Sequence, residues 1–313
     1  MIRTTDGGGS ILAKLRNVSV TYPNVPKASM LLLYAQQGIL GRLDASPYGE
    51  QFVLKGALSL FTRYGDAARP TEDIDLAAHS LGNTPEEVRK VMQDVCRVPF
   101  GDGLEFDPDT VQVRVINDML EYPGIHVTLT AALGPSRVRV PIDVSFGNVI
   151  TPAPVVLSFP QLLIPTAVRV AVYPLETVVT EKFAALVEIG SNTTRMKDVY
   201  DLHVILGRES FDAAMLGQAL RRSFAARHTP VADVPTTLSD EFASDALLSN
   251  RWEQYKRRTR VSAPDFRQVM AEVRSFFSPV LLGGQTSGSW HSQHLTWFSV
   301  GPSTDDPDEI AAE

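Results

Sequence analysis

Two aspartates, Asp73 and Asp75, stand two positions apart in a segment that the sequence predicts to be a strand over residues 72–77. Side chains alternate between the two faces of a strand, so both carboxylates are expected on the same face. Two carboxylates side by side repel each other unless a cation lies between them. Mg²⁺ prefers hard oxygen ligands and leaves room for phosphate oxygens. The pair therefore predicts a metal site with room for phosphate oxygens. The same spacing of two aspartates also occurs in solvent turns and in glycosyltransferases, so the pair alone does not decide between them.

A third aspartate, Asp143, lies in another predicted strand, residues 137–146, in which apolar and polar side chains alternate. The alternation places Asp143 on the same strand face as Ser145, with Ile142 and Val144 directed to the core. Three carboxylates from two neighbouring strands can hold two metal ions. We therefore predict Asp73, Asp75 and Asp143 as the metal ligands. Taken alone, Asp143 is better explained as a surface residue at a strand edge.

A turn at Lys55, Gly56 and Ala57 joins a short predicted strand to a short predicted helix. Glycine lets the backbone approach a phosphate closely, and a helix N-terminus offers unpaired N–H groups to it. Ser59 and Arg69 are nearby polar residues, and Arg69 can bind a phosphate bidentately. These five residues form the predicted nucleotide-binding set. A solvated strand end is the competing explanation for Lys55.

The helix predicted over residues 175–190 carries a lysine, Lys182, in the middle of its apolar stripe. Lysine is almost never fully buried without a partner, so Lys182 is expected to face a pocket or an acid. Asp198 is similarly placed on the core-facing stripe of the next helix, and the two form a predicted pair facing the sheet. A catalytic role and a buried salt bridge that ties two helices together explain this pattern equally well.

The elements that position these side chains predict an α/β (α+β) fold, with a mixed β-sheet in the N-terminal half and a helical C-terminal half. The sheet is expected to be mixed because the sequence contains both hairpins and helical crossovers. We predict a flexible N-terminus at residues 1–10, because three successive glycines have little tendency to order. A catalytic core with N-terminal helices follows at 11–165, then a helical domain at 166–300 and an acidic disordered tail at 301–313.

The composition is that of a globular protein, with 44% hydrophobic and 21% charged residues among 313. The sequence has no apolar run long enough to cross a membrane, and its first ten residues lack the pattern of a signal peptide. The single cysteine, Cys96, excludes an internal disulfide framework. We therefore expect a cytoplasmic protein with no membrane partner.

Charge is distributed unevenly along the chain, whose net charge is −7. The last ten residues hold five acidic and no basic residues, whereas residues 221–260 hold eight basic and five acidic ones. Such a basic arm can contact a phosphate backbone, and Trp252 or Tyr255 could stack on a base. Equally, the two aromatic residues could be core anchors and the basic residues solubilising. The predicted RNA contacts are Arg221, Arg222, Arg251, Lys256, Arg257 and Arg258.

Six short motifs, taken together in their order along the chain, resemble those of the AbiEii/AbiGii toxin family of nucleotidyltransferases, whose relatives include the MenT toxins. The resemblance extends from Ile11 to about Phe277. It rests on six segments: residues 12–17 (LAKLRN), 52–56 (FVLKG), 69–76 (RPTEDIDL), 142–147 (IDVSFG), 181–185 (EKFAA) and 195–202 (RMKDVYDL). The resemblance implies the fold of a nucleotidyltransferase and a toxin that is paired with a cognate antitoxin.

The resemblance further implies use of an NTP with Mg²⁺ or Mn²⁺, and addition of a nucleotide to tRNA 3′ ends, which blocks translation. Asp73 and Asp75 would then be catalytic metal ligands. Lys182 and Asp198 would be the essential lysine and aspartate of the later motifs, with Lys182 also contacting the nucleotide. Thr71 matches a hydroxyl position that some antitoxins cause to be phosphorylated. Ala57 departs from the family pattern, which often has glycine or serine there.

Two alternatives to tRNA modification stay open on the sequence. In one, the enzyme transfers the nucleotide to a protein hydroxyl or to a small molecule. In the other, the chain is a catalytically weak NTP-binding module that acts through a protein partner. Ala57 favours this second alternative, because a hydroxyl contact to the triphosphate would be missing.

Overall fold

The computed structural model describes residues 7–116, 123–163 and 166–298. The chain divides into two compact units, and the division along the sequence falls between Pro174 and Leu175. The sequence predicted the boundary between the two halves at residue 165. The difference arises from a short strand, Arg169–Val172, that the sequence pattern did not reveal. This strand pairs with the strand Phe52–Lys55 and so belongs to the N-terminal unit. Residues 301–313, the predicted acidic tail, lie outside the described residues.

The N-terminal unit is a mixed sheet with helices, as predicted for the fold class. Its helices are α1 (Gly7–Val18), α2 (Met30–Asp44), α3 (Gly56–Tyr64) and α4 (Pro85–Arg97). Its strands are β1 (Phe52–Lys55), β2 (Ile74–Ala78), β3 (Glu105–Ile116), β4 (Gly124–Leu133), β5 (Ser136–Ser145), β6 (Val155–Ser158) and β7 (Arg169–Val172). The sheet order is β3-β4-β5-β2-β1-β7-β6.

The sheet mixes hairpins with crossovers, which the sequence predicted. Strand β2 runs antiparallel to β1 and parallel to β5, and β1 runs parallel to β7. The remaining pairs, β3 with β4, β4 with β5 and β6 with β7, are antiparallel. One face of β2 and β5 is apolar and buried through Ile74, Leu76, Ile142 and Val144. Burial of that face fixes the register and directs the alternate residues away from the core.

Two boundaries differ from the sequence prediction. Helix α1 begins at Gly7, so part of the N-terminus predicted to be flexible is helical, and only residues 1–6 lie outside the described chain there. Strand β2 begins at Ile74, not at residue 72, which leaves Asp73 in a bend just before the strand. The antiparallel ladder ends where Lys55 pairs with Asp75, because the chain turns into α3 at Gly56. No β1 residue is then available opposite Asp73.

The C-terminal unit is mainly helical, in agreement with the prediction. Its helices are α5 (Leu175–Ile189), α6 (Met196–Leu206), α7 (Ala213–Arg227), α8 (Val234–Thr237), α9 (Asp240–Ala243), α10 (Ala246–Thr259) and α11 (Phe266–Leu281). A small antiparallel sheet, in the order β10-β9-β8, was not predicted. It comprises β8 (Phe211–Asp212), β9 (Ser289–His291) and β10 (Thr296–Phe298). In the described parts of both units, every helix is too short or too polar to span a bilayer.

Candidate active site

The three predicted metal ligands come together at one end of the N-terminal sheet. Asp75 on β2 lies directly opposite Asp143 on the parallel strand β5. Asp73 joins them from the bend that precedes β2. One carboxylate oxygen from each aspartate lies within 4.8 Å of those of the other two. All three side chains are half-buried, so their repulsion is only partly screened by water.

Gly56 makes the close packing of this cluster possible. Its φ of +64° lies in the left-handed region, where glycine has little steric penalty. A Cβ atom at this position would overlap the carboxylate of Asp75. The sequence suggested that Gly56 is needed for the approach of a phosphate, whereas the structure gives it a second role. The glycine leaves the space that the Asp75 carboxylate occupies.

Thr71 lies next to the cluster and is bonded to one of its members. Its hydroxyl donates to Oδ1 of Asp73 at 2.5 Å. This local bond supports the bend that carries Asp73 out of the strand ladder. The predicted regulatory hydroxyl is therefore in direct contact with a predicted metal ligand.

His126 is a member of the site that the sequence analysis missed. It lies directly opposite Asp143 on β4, and its Nδ1 is 2.5 Å from Oδ1 of Asp143. A signal for this residue is present in the sequence. Gly134 and Pro135 form a two-residue hairpin turn, and such a turn fixes the register of the strands on both sides. Counting back along both strands from this turn brings Asp143 opposite His126.

An open cleft of about 480 Å³ gives access to this site. Its walls include acidic, hydroxyl, imidazole and guanidinium groups, so polar ligands can be bound from several sides. It is lined by Pro26, Ser29, Arg69, Pro70, Thr71, Glu72, Asp73, His126, Pro141 and Asp143. Of the predicted nucleotide-binding residues, Arg69 is thus directly on the cleft.

Two other predicted nucleotide contacts do not face the cleft. Ser59 is fully buried in α3, and its hydroxyl donates to the carbonyl of Gly56 at 2.8 Å. Ala57 is also buried in this helix. In this conformation neither residue offers a hydroxyl to a nucleotide in the cleft. Lys55 is half-buried at the end of β1, opposite Asp75.

Lys182 and Asp198 form the predicted pair within the C-terminal unit. The Lys182 Nζ donates to Asp198 at 2.9 Å and to Asp201 at 2.6 Å. Arg195 donates to the second oxygen of Asp198 at 2.5 Å. Burial alone would raise the pKa of Asp198, but Lys182 and Arg195 outweigh it and lower the pKa to about 2. Asp198 is therefore a stable anion held between two cations.

The basic arm divides into buried, bonded and exposed residues. Trp252 and Tyr255 are buried core residues, which favours their role as core anchors over stacking on a base. Arg251 donates to the carbonyls of Ser191 and Thr193. Lys256 pairs with a neighbouring glutamate and donates to backbone carbonyls. The exposed members of the predicted set are Arg221, Arg222, Arg257 and Arg258.

The donor set of the N-terminal cluster fits a hard divalent cation. Three carboxylates supply oxygen ligands, and the spacing of their oxygens suits one or two ions bound between them. The half-exposed position leaves coordination sites open toward the cleft. Asp143 keeps a second oxygen for a metal while its first is bonded to His126.

The chain is similar to one known protein family and, in structure, to two solved proteins. The family described as "Nucleotidyl transferase AbiEii toxin, Type IV TA system" matches residues 38–272. A protein from H. pylori assigned as a nucleotidyltransferase is similar in structure at 16% identity, with a TM-score of 0.44, over 82% of this chain and 96% of that one. JHP933 from Helicobacter pylori has the same identity and TM-score over 83% and 99%. No curated protein matches this chain.

Proposed function

The chain belongs to the AbiEii family of nucleotidyl transferase toxins of type IV toxin–antitoxin systems, and from that premise we propose that it adds a nucleotide from an NTP to the 3′ end of tRNA. The family makes it a nucleotidyltransferase with an antitoxin as its partner. The observation that carries the proposal is the convergence of Asp73, Asp75 and Asp143 at an open cleft. Blocked tRNA 3′ ends would stop translation and account for toxicity.

Asp73, Asp75 and Asp143 would bind Mg²⁺ or Mn²⁺ through their carboxylate oxygens. A divalent ion there supplies neutralisation of phosphate charge and lowers the basicity of the attacking hydroxyl. The hard oxygen donors of the cluster support this assignment. Thr71 orients one of these carboxylates and His126 another, so two of the three ligands are held by hydrogen bonds.

The triphosphate would lie at the Lys55–Gly56 end of the cluster. Gly56 begins α3, whose N-terminus offers unpaired N–H groups and a favourable dipole to an anion. Arg69 lies on the cleft wall and is suited to bidentate binding of phosphate. The roles that the family resemblance implies for Lys182 and Asp198 stay predictions.

The chemical step would be in-line attack of the 3′ hydroxyl oxygen on the α-phosphorus. The new bond joins this oxygen to phosphorus, the bond from the α-phosphorus to the bridging oxygen breaks, and pyrophosphate leaves. Asp143, bonded to His126, is the residue proposed to accept the hydroxyl proton. Asp198 is a weak base, because its pKa is lowered to about 2. We therefore favour Asp143 over Asp198 for this role.

Within this site, we propose Thr71 as the target through which the antitoxin acts. A phosphate on its hydroxyl would add about two negative charges beside Asp73, to which that hydroxyl now donates. The phosphate would compete for the metal and repel the triphosphate. Phosphorylation at Thr71 is thus proposed as the inhibited state of the enzyme.

Transfer of label from each α-labelled NTP to deacylated total tRNA tests the proposed function. We expect one or more of the NTPs to label tRNA in the presence of Mg²⁺, and periodate oxidation of the 3′ end to prevent labelling. Asp73→Ala should give no label, while Glu86→Gln, an exposed acidic residue at the start of α4 that does not line the cleft, should retain activity. If label appears only in protein or in small molecules, the acceptor is one of these and not tRNA. Label transfer by Asp73→Ala would refute the proposed metal site.

A further inference from the structure

A row of five charged or titratable side chains crosses the N-terminal sheet at the acid cluster. Its members pair in register from strand to strand: Lys55 with Asp75, Asp75 with Asp143, Asp143 with His126, and His126 with Arg114. Residues directly opposite each other in neighbouring strands project from the same face of a sheet. The row therefore has a cation at each end and the two acids between them.

Spacing along this row separates two sides of the acid cluster. Neighbouring strands lie about 4.8 Å apart, so the backbones of Arg114 and Asp143 are about 10 Å apart. Lys55, on the opposite side, is one strand away from Asp75. In-line displacement requires the attacking oxygen and the departing pyrophosphate to lie on opposite sides of the α-phosphorus. With the triphosphate at the Lys55 end, the acceptor must approach from the Arg114 end.

A second arginine flanks this approach. Arg139 on β5 extends toward β4, where its Nη2 donates to Oγ1 of Thr128 at 3.0 Å. Thr128 lies in the row next to that of His126, between Pro141 on β5 and Gln112 on β3. This neighbouring row, here called the uncharged strip, carries no charged side chain. Its Gln112 is exposed and its Thr128 is buried, whereas Arg114 and Arg139 on either side are exposed. Pro141 also lines the cleft that contains the acids.

Acidic residues on the same sheet face lie farther from the cluster. Asp107 is opposite Thr130, and Glu105 is opposite Ala132, both beyond the uncharged strip. The Asp107 carboxylate accepts the backbone N–H of Asp109 at 3.0 Å, which holds it toward its own strand. Asp107 is in the same cross-strand row as Arg139, but two strands away from it. On the described part of this face, Arg114 and Arg139 are therefore the exposed basic side chains that flank the acid cluster on the side of β3.

We propose that the surface formed by Gln112, Arg114 and Arg139, here called the acceptor patch, binds the phosphodiester backbone of an RNA acceptor next to its 3′ end. Guanidinium groups bind phosphates bidentately, and the amide of the exposed Gln112 can donate to phosphate or ribose oxygens. Thr128 is buried and anchors Arg139. The inference rests on the proposed function, because it assigns the acceptor side of that same site.

A double variant, Arg114→Gln with Arg139→Gln, tests the acceptor patch in the full-length protein. Arg137→Gln is the matched control, because Arg137 is also exposed on β5 but donates to the carbonyls of Gly134 and Ser136 in the hairpin turn. For the double variant we expect the KM for tRNA to rise about tenfold or more, as loss of charge-assisted phosphate contacts predicts. The KM for the NTP and the melting temperature should stay close to those of the wild type.

Binding of fluorescent tRNA, followed by anisotropy against salt concentration, provides a readout that needs no catalysis. Each lost phosphate contact should lower the slope of log K against log salt by about 0.7 to 0.9. The control variant should keep the wild-type slope. If the wild type labels tRNA and the double variant matches the control in both KM and slope, the acceptor patch is refuted and the proposed function stands. If the wild type neither labels nor binds tRNA, both are overturned together.

Discussion

The two units of the protein each contain a cluster of aspartates, and the clusters differ in which side chains contact the carboxylates. In the N-terminal unit, Asp73, Asp75 and Asp143 meet with one imidazole beside them. In the C-terminal unit, Asp198 and Asp201 meet Lys182, and Arg195 completes the set. The first cluster brings carboxylate oxygens of three aspartates within 4.8 Å of one another, whereas in the second the basic side chains of Lys182 and Arg195 bond directly to the carboxylates.

The aspartates of the two clusters also differ in the exposed fraction of their side chains. The Asp143 side chain is 34% exposed, whereas that of Asp198 is 3% exposed. A balanced set of ion pairs can be buried because each charge replaces water with a partner. Three carboxylates grouped this closely repel one another unless a cation is within reach. The comparison teaches that ion pairing and burial occur together in one unit, and grouping of acids and partial exposure in the other.

The largest expected effect is that of Asp73→Asn on nucleotide transfer. We expect activity to fall by about a thousandfold, because a metal carboxylate is lost while the acceptor for the Thr71 hydroxyl is kept. Without divalent metal, the melting temperature should not fall, because one of three repelling charges has been removed. Thermal denaturation with and without Mn²⁺ measures this second point. A large loss of stability in the metal-free variant would mean that the two clusters do not differ as described.

Lys182→Met should have its main effect on stability. The substitution leaves two buried carboxylates with one basic partner, which costs about 3–5 kcal/mol in the free energy of unfolding. Lys197→Met, at an exposed position in the same helix α6 as Asp198, is the control and should cost little. Urea unfolding of both variants provides the measurement. Equal midpoints for the two variants would contradict a structural role for the C-terminal cluster.

Gly56→Ala should disturb the N-terminal cluster through the backbone. The new methyl group would overlap the Asp75 carboxylate and would occupy a left-handed conformation, at a cost of about 1–3 kcal/mol or more. Gly65→Ala is a close control, because Gly65 has a similar φ of +55° but nothing within 4 Å of the added Cβ. We expect both variants to lose stability and only Gly56→Ala to lose metal binding. Equal Mn²⁺ affinities would show that Asp75 accommodates the methyl group.

Acid should weaken the C-terminal cluster in a defined pH range. The folded-state pKa of Asp198 is about 2, below its ordinary value of 3.8, so its contribution to stability is complete above pH 4. That contribution, about 2 kcal/mol, is lost as the pH falls from 4 toward 2. Urea unfolding at pH 5 and at pH 2.5 should reveal a smaller decrease for Asp198→Asn than for the wild type. An identical decrease in both proteins would place the acid sensitivity elsewhere.

The smallest expected effect concerns His126, whose imidazole holds Asp143. His126→Ala should weaken Mn²⁺ binding about tenfold, because groups that orient metal ligands typically contribute that much. His126→Asn can restore a donor near the position of Nδ1 and should recover most of the affinity. Calorimetric titration of both variants with Mn²⁺ makes the comparison. If the asparagine variant binds no better than the alanine variant, the hydrogen bond is not what His126 contributes.

Much of the acid cluster was predictable because its determinants are local. The spacing of Asp73 and Asp75 and the alternation around Asp143 identify the three acids, and the misplaced lysine identifies Lys182 with its partner Asp198. The burial of Ser59 was not predictable in the same way, because it depends on how α3 packs rather than on its sequence spacing. His126 was missed because its role depends on pairing between strands.

The strands near the unit boundary illustrate the same limit. Strands β6 and β7 have four residues each, and so short a run gives little periodicity to recognise. The position of β7 in the sheet is set by pairing with β1, which lies more than a hundred residues earlier in the chain, and β6 then pairs with β7. The bend at Asp73 likewise reflects where β1 ends. Tertiary pairing decided each of these features.

The two-residue turn at Gly134 and Pro135 makes the site sensitive to a kind of genetic change other than substitution. One additional codon in this turn would be accommodated either as a three-residue loop or as a shift of β4 against β5 by a residue. In the shifted form, the side chains of one strand would exchange faces relative to the other, and Asp143 would lose its contact with His126 although every residue of the site remained encoded. Insertions and deletions at this hairpin are therefore expected to be depleted in a selection for toxicity, even where point changes at the same codons survive.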